Sequence, residues 1–208
     1  MLYKCLFDDL SWGYIMLKQT TLLCLFYYTL IISPVSAQQV AGIDIPDQVA
    51  LATSGQSLQL NGAGIRTKFI FDIYVGALYL ENKATSTAAV LAQTGAKRVT
   101  MHILYDEVEK EKLTSGWNDG FENNLSGEQF KALKPRLDQF NGFFHTVKKG
   151  DTIQFDYVAG QETQVRINSE LKGSIPGADF NEALLKVWLG DEPADGDLKQ
   201  AMLGGEKG

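Results

Sequence analysis

The chain predicts an α+β domain, a large antiparallel sheet packed against a helical layer. Three observations carry this. Phe69 to Leu80 is a run of aromatic and branched side chains with the composition of a strand. Beyond Tyr105 the spacing of the apolar residues changes from two to about 3.6, the helical period. The elements also come as strands, helices, strands, helix, which is not the alternation of a parallel sheet.

Taken in order, Gln38 to Pro46 reads as an extended lead-in with Val40, Ile43 and Ile45 available to pack, and Ser54-Gly55 as a turn. Ser57 to Leu60 alternates as a short strand. Asn61-Gly62 is a strong hairpin signal and is read as joining that strand to one that begins near Ala63 and carries Arg66. In Phe69–Leu80 the odd positions (Phe69, Phe71, Ile73, Val75, Ala77, Tyr79) form an apolar face. The even positions include Asp72, Tyr74 and Gly76, and this mixed face is the one on which a ligand could lie. Ser86 to Gln93 is a short helix stopped at Gly95. Lys97 to Tyr105 returns to strand, with Val99, Met101, Ile103 and Tyr105 on one side.

Val108, Leu113, Trp117, Phe121 and Leu125 give a helix through Glu107–Leu125, and Ser126 with Gln129 a capping box that opens the next one. Pro135 is expected to kink or divide that second helix, and Gly142 to end it. Thr152–Val158, Thr163–Ile167 and Leu171–Ile175 are further strands. Asp179 with Glu182 reads as a capping box for a helix that buries Phe180, Leu184, Val187 and Trp188 and stops at Gly190. A last helix spans Leu198 to Leu203.

The chain has 208 residues, 45% of them apolar and 21% charged, which are globular values. A net charge of −6 argues against nucleic acid as a partner. Thr21 to Ile32 is apolar and of signal-peptide length, followed by Val35 and Ala37, small enough for cleavage after Ala37. Residues 1–37 are therefore read as a signal peptide, 38–204 as the domain and 205–208 as a disordered tail. The destination is periplasmic or secreted, with no stable membrane span after cleavage. An uncleaved anchor is the alternative. Leu23 before Cys24 is not the small residue that lipoprotein processing needs. Both cysteines, Cys5 and Cys24, lie in the removed part, so the mature domain has no disulfide. Asp8 and Asp9 fit a signal poorly, whereas Met16-Leu17-Lys18 places a lysine just before the apolar run, so translation is read as starting at Met16.

The usual catalytic sets are missing. The mature part has no cysteine; His102 and His145 have no ligand spacing; no HExxH, P-loop or GxSxG occurs. No metal and no cofactor is expected. Arg66 stands between a glycine pair and an apolar strand. Its planar fork suits a carboxylate or phenolate beside apolar walls, or equally an ion pair with Asp72 or a nearby acid. Tyr74, on the same face as Asp72, could donate to the same anion or hold its hydroxyl in water.

The stretch GAGIRTKF, the long strand ending LYLE, the strand RVTM and the two helices after it resemble the chalcone isomerase superfamily. The ending ALLKVWLGDEPADGDLKQAMLG is similar to that of its exported bacterial members. The resemblance covers roughly Val40 to Gly204. It implies an open-faced β-sandwich of sheet and helices with a cleft between them. Plant enzymes of the superfamily close a chalcone ring near an arginine, and fatty-acid-binding relatives use an arginine and a tyrosine to hold a carboxylate. The family arginine matches Arg66. The enzyme's threonine falls at Tyr74 and its tyrosine near Lys110 or Glu111, so both are absent, with Tyr105 the one nearby substitute. The helix asparagine falls at Trp117 or Asn118, and a last polar position near Lys172 to Ser174.

These matches imply a binding protein rather than an enzyme, with Arg66, Tyr74 and Asn118 on a small amphipathic anion such as a fatty acid. The competing class is an intramolecular lyase acting on a chalcone-like or enolic substrate, which a chalcone turnover assay separates. A third is a protein-binding accessory factor, which an apolar patch away from the cleft would favour. N-terminal sequencing of the unprocessed product is expected to begin at Met16; a start at Met1 overturns that reading.

Overall fold

The computed structural model describes residues 37–205. The signal peptide up to residue 36, the Met16 start and the last three residues of the tail lie outside them. Seven strands form one curled antiparallel sheet, a half-barrel, in the order β11-β10-β9-β6-β5-β4-β3. They are β3 (Gln48–Ala50), β4 (Ser57–Lys68), β5 (Phe71–Leu80), β6 (Lys97–Ile103), β9 (Thr152–Val158), β10 (Glu162–Ile167) and β11 (Glu170–Pro176). A separate hairpin, β1 (Ala37–Val40) and β2 (Ile43–Pro46), turns at Ala41-Gly42, both with positive φ. A third two-stranded ladder joins β7 (Glu107–Val108) to β8 (Val147–Lys148). The helices are α1 (Thr87–Ala92), α2 (Lys110–Asn124), α3 (Gly127–Asn141), α4 (Ala178–Leu189) and α5 (Gly196–Met202).

The expected fold class is therefore the observed one, an α+β arrangement of antiparallel sheet and helical layer. The main core lies between them. It joins Leu78 and Leu80 of β5, Val99, Met101 and Ile103 of β6 and Phe155 of β9 to Leu113, Trp117 and Phe121 of α2, Leu137 and Phe140 of α3, and Leu184 and Trp188 of α4. An aromatic cluster fills its centre, with Trp117 between 5.5 and 5.9 Å from the rings of Phe140, Phe144, Phe155 and Trp188. On the other side of the sheet, Val75, Ala77 and Tyr79 pack with Ile45, Leu51, Leu58 and Leu60 in a smaller cluster. Both faces of β5 are thus buried, the mixed one against the helices.

Asn61-Gly62 is not a turn. β4 continues through it, and the register skips from Leu60↔Tyr79 to Gly62↔Leu78, so Asn61 is the extra residue of a β-bulge. Its buried amide accepts from the Ala84 N–H (2.7 Å) and donates to the carbonyls of Ala84 (2.9 Å) and Met202 (2.7 Å). An amide that can satisfy three distant backbone groups outcompetes the local hairpin preference. The hairpin forms instead at Phe69-Ile70, with Lys68 paired to Phe71.

Gly62, Gly64 and Gly76 then face inward as a floor for α5. A Cβ on Gly62 would strike the Ala201 carbonyl, one on Gly64 would come within 2.6 Å of the Ala201 Cβ, and Gly76 lies against Leu198. The glycines before Arg66 are there for close packing.

Other expectations shift for local reasons. Pro135 leaves α3 continuous; it is exposed, so the carbonyl it cannot bond faces water. The Ser126–Gln129 capping box forms as expected. Asp179 and Glu182 do not form one: the N-cap is Gly177, and Asp179 in the first turn pairs with Arg136 (2.5 Å), which holds its carboxyl below the usual range. The C-cap of α1 is Gln93, not Gly95, which lies under the Glu81 carboxylate.

Gly62→Ala is expected to lift α5 off the sheet and to cost about 1–3 kcal/mol, the range of overpacked core substitutions. Thermal denaturation checks it; an unchanged midpoint would mean that α5 is not seated on Gly62.

Candidate functional site

A cleft of about 560 Å³ opens at one end of the half-barrel. Its inner wall is apolar: Ile73, Met101, Ile103, Leu113, Trp117 and Val187. Its mouth carries Lys68, Phe69, Phe71 and Tyr105 from the sheet side, and Glu107, Glu111, Lys112 and Asp119 from β7 and α2. The volume falls in the range of small-molecule sites, ~300–1,000 Å³.

Arg66 and Tyr74 stand side by side in this cleft. They are cross-strand partners in the β4–β5 ladder, so their side chains leave the same face of the sheet. The Arg66 guanidinium carbon lies 5.7 Å from the centre of the Tyr74 ring, within cation–π reach. Directly beyond this pair the register skips again, from Arg66↔Tyr74 to Thr67↔Asp72, leaving Ile73 as the extra residue. That bulge ends the strict alternation expected along Phe69–Leu80. It brings Phe71 to the cleft side with Tyr74, opposite Lys68, which alternation already places on the face of Arg66, and sends Asp72 away, where its carboxylate accepts from the Thr67 hydroxyl at 3.0 Å. The expected alternative of an Arg66–Asp72 ion pair is therefore not made.

Among the described residues Arg66 has no carboxylate within ion-pair distance. Its Nε is buried without a hydrogen-bond acceptor. The Tyr74 hydroxyl is buried as well and accepts the indole N–H of Trp188 at 2.9 Å. Burial pushes its ionisation above the usual tyrosine value, against smaller opposing effects from Arg66 and Trp188. Tyr74 thus keeps its proton at neutral pH as a donor. Trp117 adds a second buried, unpartnered N–H on the cleft wall. The site therefore offers one guanidinium and neutral N–H and O–H donors at the end of a greasy hollow, an arrangement suited to an anion with an apolar body.

Asn118 does not line the cleft. α2 turns Leu113, Trp117 and Phe121 into the core, and Asn118 is about 100° further round; its amide donates back to the Thr114 carbonyl of its own helix, and its oxygen lies 3.5 Å from Asn141 of α3. The other alternative at that place, Trp117, is the one on the wall. Tyr105 is at the mouth, paired edge-to-face with Phe71 at 5.6 Å. Lys172 and Ser174 are elsewhere, bonded to Glu170 and Glu162. Met101, Ile103, Leu113 and Val187 were legible as core positions but not as a cleft lining, because only the way α2 sits over the sheet separates the two. His102 is half-buried on the other face of β6, its Nδ1 3.4 Å from the Thr152 hydroxyl.

Among the described residues no cluster of histidine and carboxylate side chains has metal-ligand geometry, and no helix is long and apolar enough to cross a membrane.

No curated protein matches the sequence significantly. Among solved structures, a fatty-acid-binding protein of Arabidopsis thaliana is similar in fold, with a TM-score of 0.56 at 16% identity, over 75% of this chain and 95% of that one. Residues 37–204 match the family described as chalcone isomerase-like. With nearly the whole described domain inside that match and the half-barrel of the fold in place, the chain belongs to the chalcone isomerase-like family.

Proposed function

We propose that this protein binds a small amphipathic anion, such as a fatty acid, without transforming it. The carboxylate is held by Arg66 with the Tyr74 O–H, and the tail runs along Met101, Ile103, Leu113, Trp117 and Val187. One observation carries the reading: a partly buried guanidinium with an unsatisfied Nε faces an apolar cleft. A hydrogen bond to a charged group contributes about 1.5–3 kcal/mol, which an anion held at Arg66 adds. Each tail methylene taken from water adds about 0.8 kcal/mol. The fatty-acid-binding neighbour of the same fold supports the same ligand class.

Turnover of a chalcone-like substrate has less support. Ring closure through a phenolate calls for several donors fixed on the developing charge. The tyrosine of the resembling enzymes falls near Lys110 or Glu111, and of these two Glu111 stands at the mouth. The proposal also includes export: the leader at residues 1–37 delivers the domain to the periplasm or beyond.

Arg66→Ala is expected to weaken binding of cis-parinaric acid, a fluorescent fatty acid, by roughly 10- to 150-fold, the equivalent of one lost charge-assisted hydrogen bond. Unchanged affinity removes the arginine from the site. Tyr74→Phe is expected to lower both affinity and stability, since it also strands the buried Trp188 N–H at about 1–3 kcal/mol. Paired titration and thermal melts read the two effects. Chalcone absorbance is expected to stay constant with the wild-type protein; its decay would establish the isomerase reading instead.

A further inference from the structure

The tip of the β4–β5 hairpin is built against the ordinary rules for exposed turns. Phe69 and Ile70 are its two loop residues and are 90% and 86% exposed; Phe71, next to them, is 49% exposed. Among the described residues these three, Tyr105 and Leu171 are the large apolar side chains left in water. Three of the five, Phe69, Phe71 and Tyr105, border the cleft mouth, and Ile70 lies between two of them in the chain, so most of the exposed apolar surface is not a patch elsewhere on the domain.

Phe69 also has a φ of 58°, in the left-handed region. A two-residue hairpin loop with positive φ at its first position takes glycine there at no steric cost. Here a phenylalanine is held in that conformation with its ring in solvent. Neither local backbone preference nor core packing accounts for the residue.

We infer that this tip docks on a lipid bilayer and presents the cleft mouth to it. The inference deepens the fatty-acid reading and rests on it for the purpose of docking, though not for the contact itself. Size argues for lipid over a protein partner. An aromatic side chain covers roughly 150–250 Å², so Phe69, Ile70 and Phe71 together fall short of the about 800 Å² per partner of a stable protein interface. They match the shallow insertion of a few apolar residues into the headgroup boundary. Composition agrees: Lys68 flanks the tip, exposed and without an ion pair among the described residues, on a stem long enough to keep its charge at the headgroups. Tyr105 stands beside Phe71 as an amphipathic ring. The acids of the mouth, Glu107, Glu111 and Asp119, come from β7 and α2 rather than from the tip. Continuity with the cleft completes the argument. Lys68, Phe69 and Phe71 both border the mouth and form the tip, so a docked tip lets an acyl chain pass between membrane and cleft without crossing water.

Co-sedimentation with phosphatidylcholine vesicles tests this, alongside cis-parinaric acid binding without vesicles. Ile70 is the residue to change, because it does not line the cleft. The wild-type protein is expected to sediment with vesicles. Ile70→Asp should partition at least tenfold more weakly and Ile70→Trp more strongly, both with unchanged parinarate affinity. Wild-type protein that stays in the supernatant, or an Ile70→Asp variant that sediments like wild type, overturns the docking. Sedimentation without parinarate binding leaves the docking standing and overturns the fatty-acid reading; parinarate binding without sedimentation does the reverse.

Discussion

A strand pair alternates faces with a period of two, so one extra residue moves every side chain beyond it to the opposite face. The β4–β5 pair contains two such residues, and the rest of the molecule is placed by them. Asn61 in β4 turns Gly62, Gly64 and Arg66 inward after Leu58 and Leu60 have faced outward. Its side chain then ties the strand to Ala84 and to the end of α5. Ile73 in β5 does the same at the other end, so that Phe71 joins Tyr74 at the cleft, across from Arg66 and Lys68 of β4. Without the first bulge Arg66 would face the small outer cluster; without the second the mouth would lose its aromatic rim.

Two arginines of one sheet show why charge placement, more than charge count, points to the site. Arg98 faces outward on β6 directly opposite Asp156 of β9, and its guanidinium grips both carboxylate oxygens at 2.5 and 2.8 Å, fully buried. That pair is complete, and removing one partner would cost about 3–5 kcal/mol. Arg66 has an aromatic face and an unsatisfied Nε instead. Pairs such as Lys112–Glu109 and Lys148–Glu107 are exposed and contribute about 0–1 kcal/mol each, so they decide nothing about fold or site.

Most elements were legible because their signals are local. The Ser126 capping box, the strand alternation in Thr152–Val158 and the helical spacing of Leu113, Trp117 and Phe121 each involve neighbours a few residues apart. Failures came where a distant partner outbid a local preference. Asn61-Gly62 reads as a hairpin until Ala84 and Met202 claim its amide. Asp179 reads as a cap until Arg136 claims its carboxylate. Phe69 and Ile70 read as buried strand because composition cannot distinguish an apolar residue that is covered from one left in water.

The sequence alone determined the fold class, the helical layer between two blocks of strands, and Arg66 with Tyr74 as the pair worth watching. All of these depend on periodicity and residue type, which folding does not alter. Only the tertiary structure decided that Trp117 and not Asn118 meets the cleft, that the glycines seat α5, and that the hairpin turns at Phe69-Ile70. The physical reason is register. A single bulge residue or a 100° step around a helix reverses which way a side chain points, and that choice is made by hydrogen bonds to groups far away in the chain.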